Sequence, residues 1–341
     1  MTDVLMVLSL FDILGIITKW LIYIGVGTSL GGFLMILMNA RSISKEAGID
    51  ATTGTGIGDV SGYMRKGALI GTLAVTMNFF IQVGSFAESG LSGMWDPLMT
   101  EILWQSSVGA SVSWRITGFV LVLAATFMLV KRTGFALNSA LVLLLVAALC
   151  LAFSFTLIGH SADMDDLGKW LVAVHVVAIG VWIGSLIPLW SMCGRLEAQP
   201  LKGIMELFGK LAIFIVAVVA TTGLILLSLL INSPVEFIDT GYGRAILIKI
   251  FIISVILAIA ALHKFHLVPK LDDKALESGS LAVKVNTISE SISEPISNSK
   301  QGLAKSIGML KRSIGVEIFI AGLILTTTAV LSSVLGPQSL A

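Results

Sequence analysis

This sequence predicts an all-α integral membrane protein. It should have eight transmembrane helices, built as two parallel four-helix repeats, with both termini outside the cytoplasm. Three observations carry that prediction: the composition, the length of the apolar runs, and the placement of the cations. Of 341 residues, 56% are hydrophobic and 13% charged, whereas a soluble domain carries roughly 25% charged residues. Mean hydropathy is +0.96. The net charge is +1 and no basic tract interleaved with aromatics is present, so no nucleic-acid partner is expected. Cys150 and Cys193 sit in or beside apolar runs without CxxC spacing, which excludes a disulfide framework and a zinc site. The first cation is Lys19, behind Asp3 and Asp12, so no cleaved signal peptide is expected.

A span needs about 20 apolar residues. Eight runs qualify: 16–39, 66–88, 107–130, 135–158, 169–191, 208–231, 245–268 and 314–336. The first four form one half, 1–160, and the last four a second half, 161–341. Residues 1–15 are apolar but short and read as an interfacial lead-in. The run "TTGTGIGDVSG" at 52–62 lacks the GK[ST] of a phosphate loop and reads as a linker.

Orientation follows from the loop cations. The loops after spans 1, 3, 5 and 7 and the ends beside them hold 17 of the 22 lysines and arginines. The other five are Lys19, Arg115, Lys169, Arg244 and Lys249, all in or near the outer parts of spans. The cation-rich loops therefore face the cytoplasm, and 158–169 is an outer hairpin. Cysteine labelling should reach position 165 from outside and position 280 only from inside; labelling of 280 from outside would overturn the topology. The insert 269–313 spaces Ile288, Ile292 and Ile296, then Leu303, Ile307, Leu310 and Ile314, at helical intervals. It reads as two amphipathic pieces on the inner membrane surface, interrupted at Pro295. A regulatory or partner role for it would be exposed by deleting 272–309.

Two sequence echoes suggest duplication. "KWLI" (19–22) and "KWLV" (169–172) each open a span from outside. "SSVGASVSWR" (106–115) and "DTGYGRAILIK" (239–249) place a cation six residues after a glycine, Gly109 to Arg115 and Gly243 to Lys249. Four spans separate each pair, so the repeats share one orientation. On this alignment His175 corresponds to Gly25.

The chain has four histidines, and two bracket "IGHSADMDDLGKWLVAVH" at 158–175. His160 closes span 4 beside Gly159. His175 lies about 9 Å inside span 5, where an imidazole facing lipid is costly, so it should face the bundle interior. Trp182 shares its helix face. Gly180 and Gly184 form a GxxxG that lets another backbone approach. Imidazole and the thioether of Met164 suit copper, while Asp163, Asp165 and Asp166 suit capture of a hydrated ion. The blander reading is an interfacial histidine beside a solvated acidic loop. His263 and His266 at the inner end of span 7, with Met192 and Cys193 at that of span 5, are candidates for an exit site or plain solvated residues. Arg115 and Lys249 either snorkel outward or pair with Glu88, Glu236 or Asp239.

"GHSA" (159–162), "VHVVAIGVWIGSLIPL" (174–189), "TGYGRAILIK" (240–249) and "LKRSIGVEIFIAGLILTTTAVLSSVLGP" (310–337) run in order through the second half. With "SVGASVSWR" (107–115), they resemble the CopD family of copper-resistance membrane proteins. The resemblance implies an eight-span inner-membrane protein that passes copper from periplasm to cytoplasm, with His160, His175 and Trp182 on the family motif. No soluble copper-binding domain is fused here, so a separate periplasmic carrier is implied. Neither a Walker motif nor DKTG occurs, which excludes an ATP-driven pump. No enzymatic activity is expected. The competing reading is a b-type haem redox protein, with Arg115 and Lys249 pairing propionates.

Overall fold

The computed structural model describes residues 9–45, 57–130, 134–159, 162, 164–196, 198–230, 235–239, 241–262 and 293–333. Among the described residues every regular element is a helix: α1 (Leu10–Lys45), α2 (Ile57–Ala87), a 3₁₀ turn (Gly90–Trp95), α3 (Pro97–Trp104), α4 (Ser107–Val130), α5 (Gly134–Ser154), α6 (Asp166–Met192), α7 (Ala198–Leu230), α8 (Glu236–Asp239), α9 (Gly241–Leu262) and α10 (Ser293–Ser333). Eight of them, α1, α2, α4, α5, α6, α7, α9 and α10, are long and apolar enough to cross a membrane.

The spans lie where the apolar runs place them, but several ends differ. Helix α1 begins at Leu10 and absorbs the last six residues of the expected lead-in. The cause is a capping pair: Asp12 Oδ2 accepts from the Ser9 amide at 2.9 Å, and Ser9 Oγ accepts from the Asp12 amide at 3.1 Å. Helix α2 begins inside the expected linker, at Ile57, with Asp59 complementing the amide-rich end of its first turn. Between α2 and α4 the sequence reading has only a loop. There the structure has the 3₁₀ turn and α3, started by Asp96 Oδ1 accepting from the Met99 amide with Pro97 in the first turn. Trp95 and Trp104 stay largely exposed; Trp95 packs tilted on Phe80, and Trp104 meets Phe79 edge to face. Rings half in contact with protein and half free suit the membrane boundary.

The insert also differs. Residues 293–313 do not lie apart as a surface piece; they continue upright into the last span as α10. At 41 residues that helix is about 61 Å long, twice the ~30 Å hydrocarbon thickness. Pro295 falls in its first turn, where a missing amide hydrogen costs nothing. Leu310 and Ile314 are buried, and the Lys311 ammonium lies 4.4 Å from the Trp190 ring centroid on α6. Positions 269–292 lie outside the described residues.

Helix α1 is the centre of the bundle. It packs on α2 from its own half and on α6 and α10 from the other. The α1–α6 crossing is a backbone contact: a Cβ on Gly31 would sit 2.0 Å from the Gly184 carbonyl carbon, and one on Gly184 only 1.7 Å from the Gly27 oxygen. The GxxxG of α6 thus works as expected at Gly184, while Gly180 receives the Leu30 side chain. Pro188, one turn on, cannot donate to the Gly184 carbonyl. The Tyr63 hydroxyl of α2 donates to that oxygen instead, at 2.9 Å. Three helices therefore meet at Gly184 with the backbone fully bonded.

Candidate metal centre

His175 sits in α6, nine residues after Asp166, about 13 Å along the axis from the helix start. Its ring does not face lipid. It lies half-buried against α7, with Nδ1 2.8 Å from Thr222 Oγ1. Gly223 makes the space: a Cβ there would stand 3.2 Å from the ring Cε1. The Lys249 ammonium of α9 is within electrostatic reach of the ring. In the first half, Gly25 packs on Gly71 of α2, where a Cβ would come within 2.7 Å of the Gly71 Cα. Position 25 against 71 and position 175 against 223 are thus both first-helix to second-helix contacts, glycine on glycine in one half and imidazole on glycine in the other.

Around the start of α6, residues that the sequence reading assigned to ion capture also have local structural roles. Asp165 Oδ1 accepts from the Gly168 amide at 2.8 Å and caps α6, and Asp166 is exposed in the first turn beside it. Met164 folds onto Gly168, where a Cβ would lie 3.0 Å from its sulfur. These three stand at the helix mouth, several turns from the His175 ring. His160 and Asp163 lie outside the described residues. Among the described residues no three His, Cys, Asp or Glu gather into a group that could hold a metal. Trp182 is buried in the core, seven residues below His175 on the same helix.

Arg115 neither snorkels nor reaches Glu88. It is 6% exposed. Its Nε donates to Ser154 Oγ at 3.2 Å, and the guanidinium lies 4.6 Å from the Phe155 ring centroid. A hydroxyl and an aromatic face absorb the cation in place of a carboxylate. Glu88 is exposed just past the end of α2, and ion pairs form elsewhere, between Arg195 and Asp59 and between Lys202 and Glu206. Two further polar residues escaped the sequence reading: Lys19 Nζ donates to the Ser332 carbonyl, and the Tyr23 hydroxyl lies 3.1 Å from Ser332 Oγ. They tie α1 to the C-terminal end of α10. The signal was present, since Lys19 and Tyr23 are one turn apart on a single face.

At the other end of the bundle a cavity of about 410 Å³ opens between α1, α2, α6 and α7. Met192, Ser191, Asn39 and Tyr63 line it, and the Asp59–Arg195 pair stands among its walls. Cys193 is buried beside it. Burial pushes its thiol up to about 11, against the opposing pull of the Lys311 ammonium, so it is protonated at neutral pH. Met192 therefore faces the cavity as a thioether, whereas Cys193 does not line it. His263 and His266 lie outside the described residues.

Two family models match the chain one after the other. The family described as "Copper resistance protein D-like, N-terminal domain" matches residues 10–170, and "Copper resistance protein D" matches 202–331. "Inner membrane protein YebZ" of Escherichia coli (strain K12) is 24% identical over 199 residues, covering 55% of this chain and 64% of that one. "Copper transport protein CutJ" of Bacillus subtilis (strain 168) is 24% identical over 200 residues, covering 56% of this chain and 37% of the relative. The chain thus spans less than two thirds of either relative. No solved structure matches it. The first match carries α1 to α5 and the start of α6, the second carries α7 to α10, and His175 lies on α6 between the two matched ranges: the chain belongs to the copper resistance protein D family.

Proposed function

We propose that this protein moves copper across the inner membrane from periplasm to cytoplasm, with His175 as the ligand at the outer side. One observation carries the proposal: a single imidazole is held inside a membrane helix, anchored through one ring nitrogen, with the other uncommitted by any described contact. A buried polar group in a span is costly unless it serves a pathway. The matching families, described as copper resistance proteins, and the Bacillus relative, described as a copper transport protein, support copper as the cargo. The cavity lined by Met192 and Ser191 is the proposed inner outlet. Asp165 and Asp166 at the hairpin concentrate the ion before His175 takes it, and a separate periplasmic protein delivers it. The matched contacts at positions 25 and 175 support two parallel repeats, of which the second alone carries the ligand.

The haem reading has one observation in its favour. Lys19, Arg115 and Lys249 lie in the outer part of the bundle with no carboxylate paired to them among the described residues, as propionate partners would. Purified protein decides between the two. Metal analysis after copper loading and gel filtration is expected to give stoichiometric copper and no Soret absorbance. A stoichiometric Soret band with no retained copper would reverse the assignment.

A further inference from the structure

The hydrogen bonds around His175 determine which of its nitrogens is free. A threonine hydroxyl has one proton to give. Thr222 gives it to the Val218 carbonyl, 2.6 Å away and one turn back in α7, a back-bond common for threonine in apolar helices. Towards His175, at 2.8 Å, Thr222 Oγ1 can then offer only a lone pair. The ring nitrogen facing it has to be the donor. The Val219 carbonyl is a second acceptor within reach of the Thr222 hydroxyl, at 3.3 Å, so the backbone of α7 takes the threonine proton either way. A neutral imidazole has one N–H, so its other nitrogen carries the lone pair.

We infer that Thr222 is a positioning residue that fixes His175 as the Nδ1–H tautomer and presents Nε2 as the copper ligand. The inference rests on His175 being the copper ligand, as proposed above. Histidines that bind metals generally donate their second N–H to an oxygen acceptor, which orients the ring and strengthens the ligating nitrogen. Here the acceptor is a side chain on the neighbouring span, 47 residues on. Gly223 completes the arrangement, since the ring reaches Thr222 only by lying over a residue without a side chain. Lys249 of α9, within electrostatic reach of the ring, adds a positive charge that any bound ion must tolerate. A monovalent ion meets half the repulsion that a divalent one does. Cu⁺, or Ag⁺ as its redox-inert stand-in, is therefore the fitting probe.

The test uses the full-length protein with ¹⁵N-labelled histidine, the His175 signals being assigned by their loss in His175→Gln. Without metal, Nδ1 is expected to be protonated and Nε2 not. Ag⁺ should then shift Nε2 and leave Nδ1 in place. Thr222→Val should populate both tautomers and weaken Ag⁺ binding about 10-fold, the low end for loss of such a partner, while Thr222→Ser restores both. A protonated Nε2 in the wild type overturns the inference, and that spectrum alone suffices should Thr222→Val not fold. Wild-type Ag⁺ affinity in Thr222→Val overturns it too. If His175→Gln binds Ag⁺ as tightly as the wild type, the ligand reading itself falls, which the tautomer spectrum reports separately.

Discussion

Cells expressing His175→Ala are expected to accumulate no copper above the level of cells lacking the protein, at matched amounts of membrane-inserted chain. The alanine removes the imidazole that ligates, and no group of His, Cys, Asp or Glu among the described residues stands ready to replace it. Asp165→Asn should reduce accumulation little, because asparagine caps a helix as well as aspartate does and Asp166 keeps its charge at the mouth. Uptake should also fall as the medium is acidified, since protons compete with copper for a neutral imidazole. Normal accumulation by His175→Ala would make the histidine a structural residue and end the metal reading.

The largest loss of stability is expected for Gly31→Val. A side chain there meets the Gly184 carbonyl carbon at 2.0 Å and the Ser185 nitrogen at 2.4 Å. Backbone cannot rotate aside, so α1 and α6 must separate. Overpacking typically costs 1–3 kcal/mol, and this site belongs at the upper end, about 3 kcal/mol. The check is thermal unfolding in detergent, with Gly322→Ala as the control, because nothing lies within 4 Å of a Cβ at position 322. Equal midpoints for the two variants would show that the crossing yields more easily than its geometry says.

The eight spans were legible because a bilayer imposes one length on every apolar run. Their ends were less so. Ser9 with Asp12 and Asp96 with Met99 are local capping contacts that carry a helix past the apolar run, and hydropathy does not register them. That His175 turns inward was also legible, from the cost of an imidazole in lipid. What holds it was not. Thr222 stands in an apolar run as an ordinary small polar residue, and only the packing of α6 on α7 shows that it faces the ring. Asp165 shows the converse. As one carboxylate among three in a loop it suggested ion capture, and its position just before α6 also makes it a cap. Arg115 was expected to seek water or an acid, because the sequence does not show that Ser154 and Phe155 end the neighbouring helix at its level.

The contact between Gly31 and Gly184 also marks where the bundle is tightest. With no side chains between them, α1 and α6 meet backbone to backbone, whereas α7 and α9 are the least enclosed of the eight spans. His175 stands on α6 and is bonded to α7 through Thr222. On the proposed function, the ligand therefore sits at the border between the tight and the loose parts of the bundle.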